Sequence, residues 1–120
     1  MKPHKINDTL YHVELLFFVG NGAETASYIN KKFDKDYSDI IEESLGGVVF
    51  CGYAKDGHMI LAMWVHEPKF SIIAHECVHI ASIVFEDRSI PFTSKNDEII
   101  AYYIEFWVRN IENYLNRKEH

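Results

Sequence analysis

The sequence has few of the features that would set it apart from ordinary globular proteins. It contains only 2 cysteines and 3 prolines in 120 residues, and no run of lysine or arginine is longer than two residues. No apolar stretch approaches the roughly 20 residues that a membrane-spanning helix needs. The longest early apolar run, at 15–19, follows charged and polar residues and lacks the layout of a signal peptide. We therefore predict a cytoplasmic protein without a membrane partner.

Charge and composition narrow the classes of partner further. The net charge is −6, with a pI near 5.6, which disfavours nucleic acids and anionic membranes as partners. A hydrophobic content of 48% indicates a globular chain, and its length predicts a single domain over 1–120. Two cysteines do not make a disulfide framework, so Cys51 and Cys77 are predicted to be small core residues in a reducing compartment.

One pattern in the sequence carries chemistry. His75, Glu76 and His79 form an H-E-x-x-H motif. Two imidazoles at positions i and i+4 project from one face of a helix and can share a metal ion. The glutamate beside the first histidine is placed to take a proton from a water that the metal activates. Glu98 follows His79 after 18 intervening residues and is the predicted third ligand.

The remaining patterns predict a mixture of strands and helices. Three strands are predicted at 11–19, 48–53 and 58–65, and an Asp-Gly turn joins the last two in a hairpin. Helices are predicted at 23–33, in a short segment that ends at Glu43, at 70–85 and from Ser94 to Asn116. These elements indicate an α+β fold.

The helix at 70–85 is predicted to lie at the centre of the fold. Ile73, Cys77, Ile80 and Val84 form an apolar stripe on the side opposite the histidines. Because further isoleucines flank the histidine side, the helix is expected to be buried almost all round. Buried imidazoles need partners, and a metal ion would supply one.

The motif and Glu98, which begins an E-x-x-A pattern, resemble the gluzincin branch of the zincin-like metallopeptidases over about 58–106. The resemblance implies a small zincin-like domain with a short, mostly antiparallel sheet packed on a central H-E-x-x-H helix and a long C-terminal helix. It also implies a Zn²⁺ ion held by His75, His79 and Glu98. An edge strand within 58–65 would pair with a protein or peptide substrate. The compact size is similar to small predicted peptidases of bacteriophages and prophages, which implies a bacterial or phage-infected cell.

The predicted activity is that of a zinc metallopeptidase. A metal-activated water attacks the peptide bond, while Glu76 acts as general base and then passes the proton to the leaving amine. Negative charge develops on the reacting carbonyl, so a hydrogen-bond donor is expected near the metal. Tyr102, one turn after Glu98, is the predicted donor, and His66 and Tyr103 are further candidates.

Several alternatives stay open at this point. His75 and His79 would also serve as hydrogen-bonded histidines of a helix, and Glu98 as a first-turn glutamate that the helix dipole favours. If zinc is bound, a separate alternative is that Glu76 lies beside the zinc site of a catalytically inactive zinc-binding module that recruits a protein partner. The ligand set also suits iron, manganese or cobalt, and a non-peptide amide is another conceivable substrate. The sequence shows no second wall for a cleft, so a homodimer that completes the site is a further alternative.

Overall fold

The structure, a computed structural model, describes residues 2–44 and 46–118. The strands in this part of the chain are β1 His4–Asp8, β2 Val13–Val19, β3 Gly47–Tyr53 and β4 Met59–Val65. The α-helices are α1 Gly22–Phe33, α2 Ser38–Glu43, α3 Phe70–Asp87 and α4 Asp97–Lys118. The sheet has the order β1-β2-β4-β3, and only the β2–β4 pairing is parallel. The predicted α+β class with a mostly antiparallel sheet is confirmed.

Helices cover the sheet on both faces because the central strands β2 and β4 are apolar on both sides. Alternate side chains of a strand point to opposite faces. One set packs with α3 and α4 and includes Leu15, Phe17, Leu61 and Met63. The other set packs with α1 and α2 and includes Leu16, Phe18, Ala62 and Trp64. Two apolar clusters therefore form the core, one on each side of the sheet.

The predicted hairpin is confirmed, but the predicted edge strand is wrong. β3 and β4 pair antiparallel from Gly47 opposite Val65 to Tyr53 opposite Met59. All seven residues of β4 are buried, and the strand lies between β2 and β3. A strand that is apolar on both faces gains most by lying inside the sheet, where neighbours also satisfy its backbone. Within the described residues, the edges of the sheet are β1 and β3.

The two long helices α3 and α4 pack against each other in opposite directions. Phe85, near the end of α3, stacks on Tyr103 near the start of α4, with ring centroids 5.4 Å apart. Phe70, which begins α3, lies with Val108 and Glu112 further along α4. The apolar stripe predicted for α3 is buried as expected. Among the helices that the structure describes, none has the length and apolar character needed to cross a membrane.

Candidate metal centre

The two motif histidines lie on the outward face of α3. The side chain of His75 is 69% exposed, and His79 is also exposed. The prediction that both are buried is therefore wrong. The side of α3 opposite the imidazoles packs in the core. One flank of the helix contacts the start of β3 through Ile72, which is half-buried. The first turns of α3 are thus open to solvent on the side that carries the imidazoles.

The spacing of the two imidazoles fits a shared metal ion. His75 Nε2 lies 3.2 Å from His79 Nε2. Two nitrogens bound to one zinc at about 2.0–2.1 Å with tetrahedral angles would lie about 3.3–3.4 Å apart. The same distance also suits one N–H···N hydrogen bond between neutral imidazoles. The helix therefore brings two nitrogens together, either to bind one metal ion or to share one hydrogen bond. Measuring metal content distinguishes these two arrangements.

Glu76 is buried beside this pair. It is only 5% exposed, and its Oε2 atom lies 4.0 Å from His75 Nε2. Burial raises the pKa of the Glu76 carboxyl above its ordinary value, and the positive charges of His75 and His79, when these are protonated, oppose this effect. A carboxylate with a raised pKa is a better proton acceptor, as general-base chemistry requires. The arrangement keeps the carboxylate near the imidazoles while shielding it from bulk water.

Gly47, at the start of β3, leaves the space that Glu76 occupies. A Cβ atom on Gly47 would lie 3.1 Å from Glu76 Oε2 and 3.0 Å from Ile72 Cγ2. Both distances are tighter than ordinary van der Waals contacts, so a side chain at this position would press on the carboxylate. The sequence signal for this role is the Gly46-Gly47 pair, which directly precedes the strand predicted at 48–53.

The outer edge of β3 presents backbone groups beside Glu76. The His66 N–H donates to Gly46 O at 2.8 Å, and the Ala54 N–H donates to His58 O at 2.9 Å. In an antiparallel ladder, bonded and non-bonded pairs alternate, so the even residues of β3 bond to β4. The N–H and C=O groups of Gly47, Val49 and Cys51 therefore point to the outer edge. No strand pairs with this edge in the part of the chain that the structure describes.

The predicted third ligand does not lie with the histidines. Glu98 is exposed in the first turn of α4, more than one turn before Tyr103. Since Tyr103 stacks on Phe85 near the end of α3, Glu98 lies near that end, whereas His75 lies in the first half of the helix and His79 at its middle. Over 2–44 and 46–118, no three His, Cys, Asp or Glu side chains form a metal-binding group. The structure thus brings together two of the three predicted ligands.

The three candidate hydrogen-bond donors lie in different places. Tyr102 is 66% exposed and lines a groove with Leu10 and Ile99, on the side of α4 that faces the β1–β2 turn. Tyr103 is buried, and its hydroxyl donates to Asp8 Oδ2 at 2.7 Å. His66 is bonded through its backbone to Gly46, the neighbour of Gly47. The His66 backbone thus lies at the same end of β3 as Glu76, but its ring lies 6.2 Å from the Trp64 ring, on the other face of the sheet.

The cysteines belong to the core, as predicted. Cys77 is fully buried on the side of α3 opposite the imidazoles, and burial raises the pKa of its thiol to about 12. Cys51 is half-buried on β3, and burial raises the pKa of its thiol as well. Thiols with raised pKa values are poor metal ligands and poor nucleophiles. Histidine and carboxylate groups are therefore better candidates than the two thiols for binding a metal ion.

Comparisons of the chain with protein-family models, with curated proteins and with solved structures find no match. The functional interpretation therefore depends on the motif and on the geometry of α3 and β3.

Proposed function

We propose that this chain is a zinc-dependent peptidase that hydrolyses peptide bonds of a protein or peptide. One observation carries the proposal: His75 Nε2 and His79 Nε2 converge beside the buried carboxylate of Glu76, next to an unpaired strand edge. A metal-binding pair, a shielded base and a strand edge for an extended chain are the parts that metal-assisted peptide hydrolysis needs.

In this proposal each residue has a distinct task. His75 and His79 would hold Zn²⁺. Glu98 is the proposed third ligand, and it would have to approach them from its position near the other end of α3. When bound, Zn²⁺ supplies a Lewis acid that lowers the pKa of water and polarises the substrate carbonyl. Glu76 accepts a proton from the attacking water and then donates it to the leaving amine. Gly47 keeps the Glu76 side chain in position.

The free edge of β3 is the proposed binding surface for the substrate backbone. An extended peptide beside this edge would exchange hydrogen bonds with Gly47, Val49 and Cys51. Gly47 lies against Glu76, so a peptide in this register would pass beside the proposed base. The proposed substrate-binding strand is therefore β3 and not the predicted strand at 58–65.

Negative charge that develops on the substrate carbonyl requires a hydrogen-bond donor. Substitution of each candidate residue tests which one is the donor. Tyr102→Phe and His66→Phe each remove one donor while keeping an aromatic ring of similar size. Loss of the acting donor is expected to lower kcat by about 10²-fold or more, whereas zinc binding should not change. Tyr103 is already engaged with Asp8, so Tyr103→Phe reports on stability and not on the donor.

Metal content is the first test of the proposed function. Protein purified without a histidine tag is expected to contain one zinc per chain, to lose it in His79→Ala and to lose it or bind it weakly in Glu98→Ala. Glu112→Ala is the matched control, because Glu112 is also a carboxylate of α4 and lies beside the start of α3. Loss of zinc in Glu112→Ala, but not in Glu98→Ala, would move the third ligand to Glu112. Folded wild-type protein that binds no added zinc, iron, manganese or cobalt would overturn the metal site.

The unassembled third ligand and the free β3 edge also favour a second candidate, a zinc-binding module that recruits a protein partner without cutting it. Glu76→Gln distinguishes the two functions, since it removes the base with little change of shape. Under the peptidase proposal, cleavage of a protein or peptide is lost while zinc stays bound. Under the alternative, wild-type and variant proteins bind the same partner equally and neither cleaves it.

A further inference from the structure

A pocket of about 690 Å³ opens on the face of the sheet opposite Glu76. Four elements contribute to it: α1, α2, the segment that leads into β3, and the end of β4. Its walls include Ala23, Ile41, Glu42, Gly46, Trp64 and His66. We call it the Trp64 pocket.

The Trp64 pocket and the candidate metal centre are separated by the start of β3. Gly46 lines the pocket, while the next residue, Gly47, lies against Glu76. The Trp64 side chain belongs to the apolar cluster on the α1 and α2 side of the sheet. α3, which carries the imidazoles, covers the other side. The metal centre and the pocket thus open on opposite faces of the sheet, on either side of Gly46 and Gly47.

Strand geometry connects the two sites. Successive side chains of an extended peptide point to opposite faces of the sheet that it joins. If one substrate residue faces Glu76, its neighbour points to the face of the sheet on which the Trp64 pocket opens. We propose that the Trp64 pocket binds a lysine or arginine side chain of the substrate, next to the bond that is cut. This inference rests on the proposed peptidase function and adds the substrate class.

The lining of the pocket matches a long side chain with a positive end. Trp64 and Ile41 provide apolar surface for the methylene stem, and the Trp64 indole N–H is already satisfied by Gly20 O at 3.2 Å. Glu42 is the only carboxylate among the described lining residues, and α2 places it at the exposed rim. Hydroxyls of Ser27, Ser38 and Ser44 add hydrogen-bond acceptors. Lysine and arginine bury their stems along apolar surfaces and keep the charged group beside a carboxylate.

Peptide binding to zinc-loaded Glu76→Gln protein tests the inference without requiring cleavage. The probes are blocked alanine-based heptapeptides that carry one lysine, arginine, norleucine or glutamate at the same position. We expect the lysine and arginine peptides to bind about tenfold more tightly than the norleucine peptide. They should shift the NMR signal of the Trp64 indole N–H, while the signal of the buried Trp107 serves as internal reference.

Two neighbouring glutamates provide a matched pair of variants. Glu42→Gln should remove the preference for lysine and arginine. Glu43→Gln changes the same charge on the same helix outside the pocket lining and should preserve it. A third variant, Ala23→Phe, fills the pocket and should abolish the Trp64 shift.

The possible outcomes separate this inference from the peptidase proposal. Binding without a basic preference, binding without a Trp64 shift, or no binding up to millimolar peptide each overturns the Trp64 pocket as the basic subsite. Basic-selective binding that depends on Glu42, together with wild-type protein that cuts none of the bound peptides, retains the subsite and overturns the peptidase. Cleavage by wild-type protein without a basic preference retains the peptidase and overturns the subsite.

Discussion

At the scale of single residues, Gly47 offers the sharpest test of how Glu76 is held. A methyl group at Gly47 would press on the Glu76 carboxylate and on Ile72. We expect Gly47→Ala to lower kcat by about 10-fold to 100-fold, because a displacement of about 1 Å is enough to misalign a reacting group. Zinc content should not change, since neither imidazole is touched. Steady-state kinetics and metal analysis of the same preparation measure both quantities.

Gly52→Ala is the control for Gly47→Ala, because it makes a similar change in the same strand. A Cβ atom on Gly52 would lie 2.5 Å from Phe33 Cε1, on the α1 side of the sheet. This variant is expected to lose about 1–3 kcal/mol of unfolding free energy through overpacking. Below its melting temperature it should keep kcat. Equal losses of kcat in both variants would show that the strand, and not the Glu76 position, controls the rate.

His58 provides a prediction on pH that is independent of the metal centre. Its Nδ1 atom bonds to Asp56, and its Nε2 atom lies 3.5 Å from Glu14 Oε2. The hydrogen bond to Asp56 raises the pKa of His58 above its ordinary value, burial lowers it to a smaller extent, and Glu14 raises it further. An NMR titration should give a His58 pKa above 6.5, and Asp56→Asn should lower this pKa more than Glu14→Gln does.

The sign of the linked stability follows from the same shift. Because the pKa of His58 is raised in the folded protein, the stabilisation is fully present below the ordinary pKa and is lost as pH rises through the folded-state value. The difference in unfolding free energy between wild type and Asp56→Asn, measured by chemical denaturation, should therefore be larger under mildly acidic conditions than at alkaline pH. A difference that is larger at alkaline pH would contradict this assignment.

At the scale of secondary-structure elements, one buried hydrogen bond joins β1 to α4. Tyr103 donates to Asp8 Oδ2, and Asp8 Oδ1 accepts the Leu10 N–H at 2.8 Å. Tyr103→Phe leaves a buried carboxylate oxygen without this donor, which should cost about 1–3 kcal/mol of unfolding free energy. The neighbouring Tyr102→Phe removes an exposed hydroxyl and should cost almost nothing. Urea denaturation at neutral pH compares the two variants, and equal losses would exclude the buried bond as the cause.

The elements that the sequence predicted correctly are those with strong local periodicity. The helices at 70–85 and 94–116 and the hairpin around Gly57 each carry their own pattern of apolar residues or turn residues. The sequence does not predict β1, because this strand is only five residues long and Ile6 is its one apolar residue. The parallel pairing of β2 with β4 joins strands that are distant in sequence, and no local signal indicates such a pairing. Without this pairing, the strand at 58–65 was wrongly predicted to lie at the edge of the sheet.

The candidate site shows the same division between local and distant information. The i, i+4 spacing predicted that His75 and His79 share one point, and the structure brings their Nε2 atoms to 3.2 Å. The space for the buried Glu76 side chain depends on Gly47, which lies 29 positions earlier in the chain. Only the packing of β3 against α3 brings the two residues together. Glu98 is predicted from its spacing and its E-x-x-A pattern, but its position relative to α3 depends on how the two helices pack. Sequence spacing thus predicts contacts within one helix more securely than contacts between helices.

At the scale of the whole molecule, the core and the candidate metal centre are separate. Both apolar clusters are built from sheet and helix residues that do not include His75 or His79, and the imidazoles lie on the outer surface. Removal of zinc should therefore leave the chain folded, unlike small zinc-dependent folds, which unfold when the metal is removed. A module whose metal supports the fold predicts the opposite behaviour.

Thermal denaturation with and without zinc measures this separation. A ligand present at 100 times its Kd stabilises the folded state by about 2.7 kcal/mol. For a chain of this size, that corresponds to an increase in Tm of about 10 °C.

We expect EDTA-treated wild type to unfold in one cooperative transition, with a lower Tm that added zinc restores. His79→Ala should have the Tm of the metal-free protein with or without zinc. If EDTA abolished the transition, the metal would be part of the core, and the second candidate function would be favoured. Because His79→Ala removes an exposed side chain, its response separates metal binding from a general loss of stability.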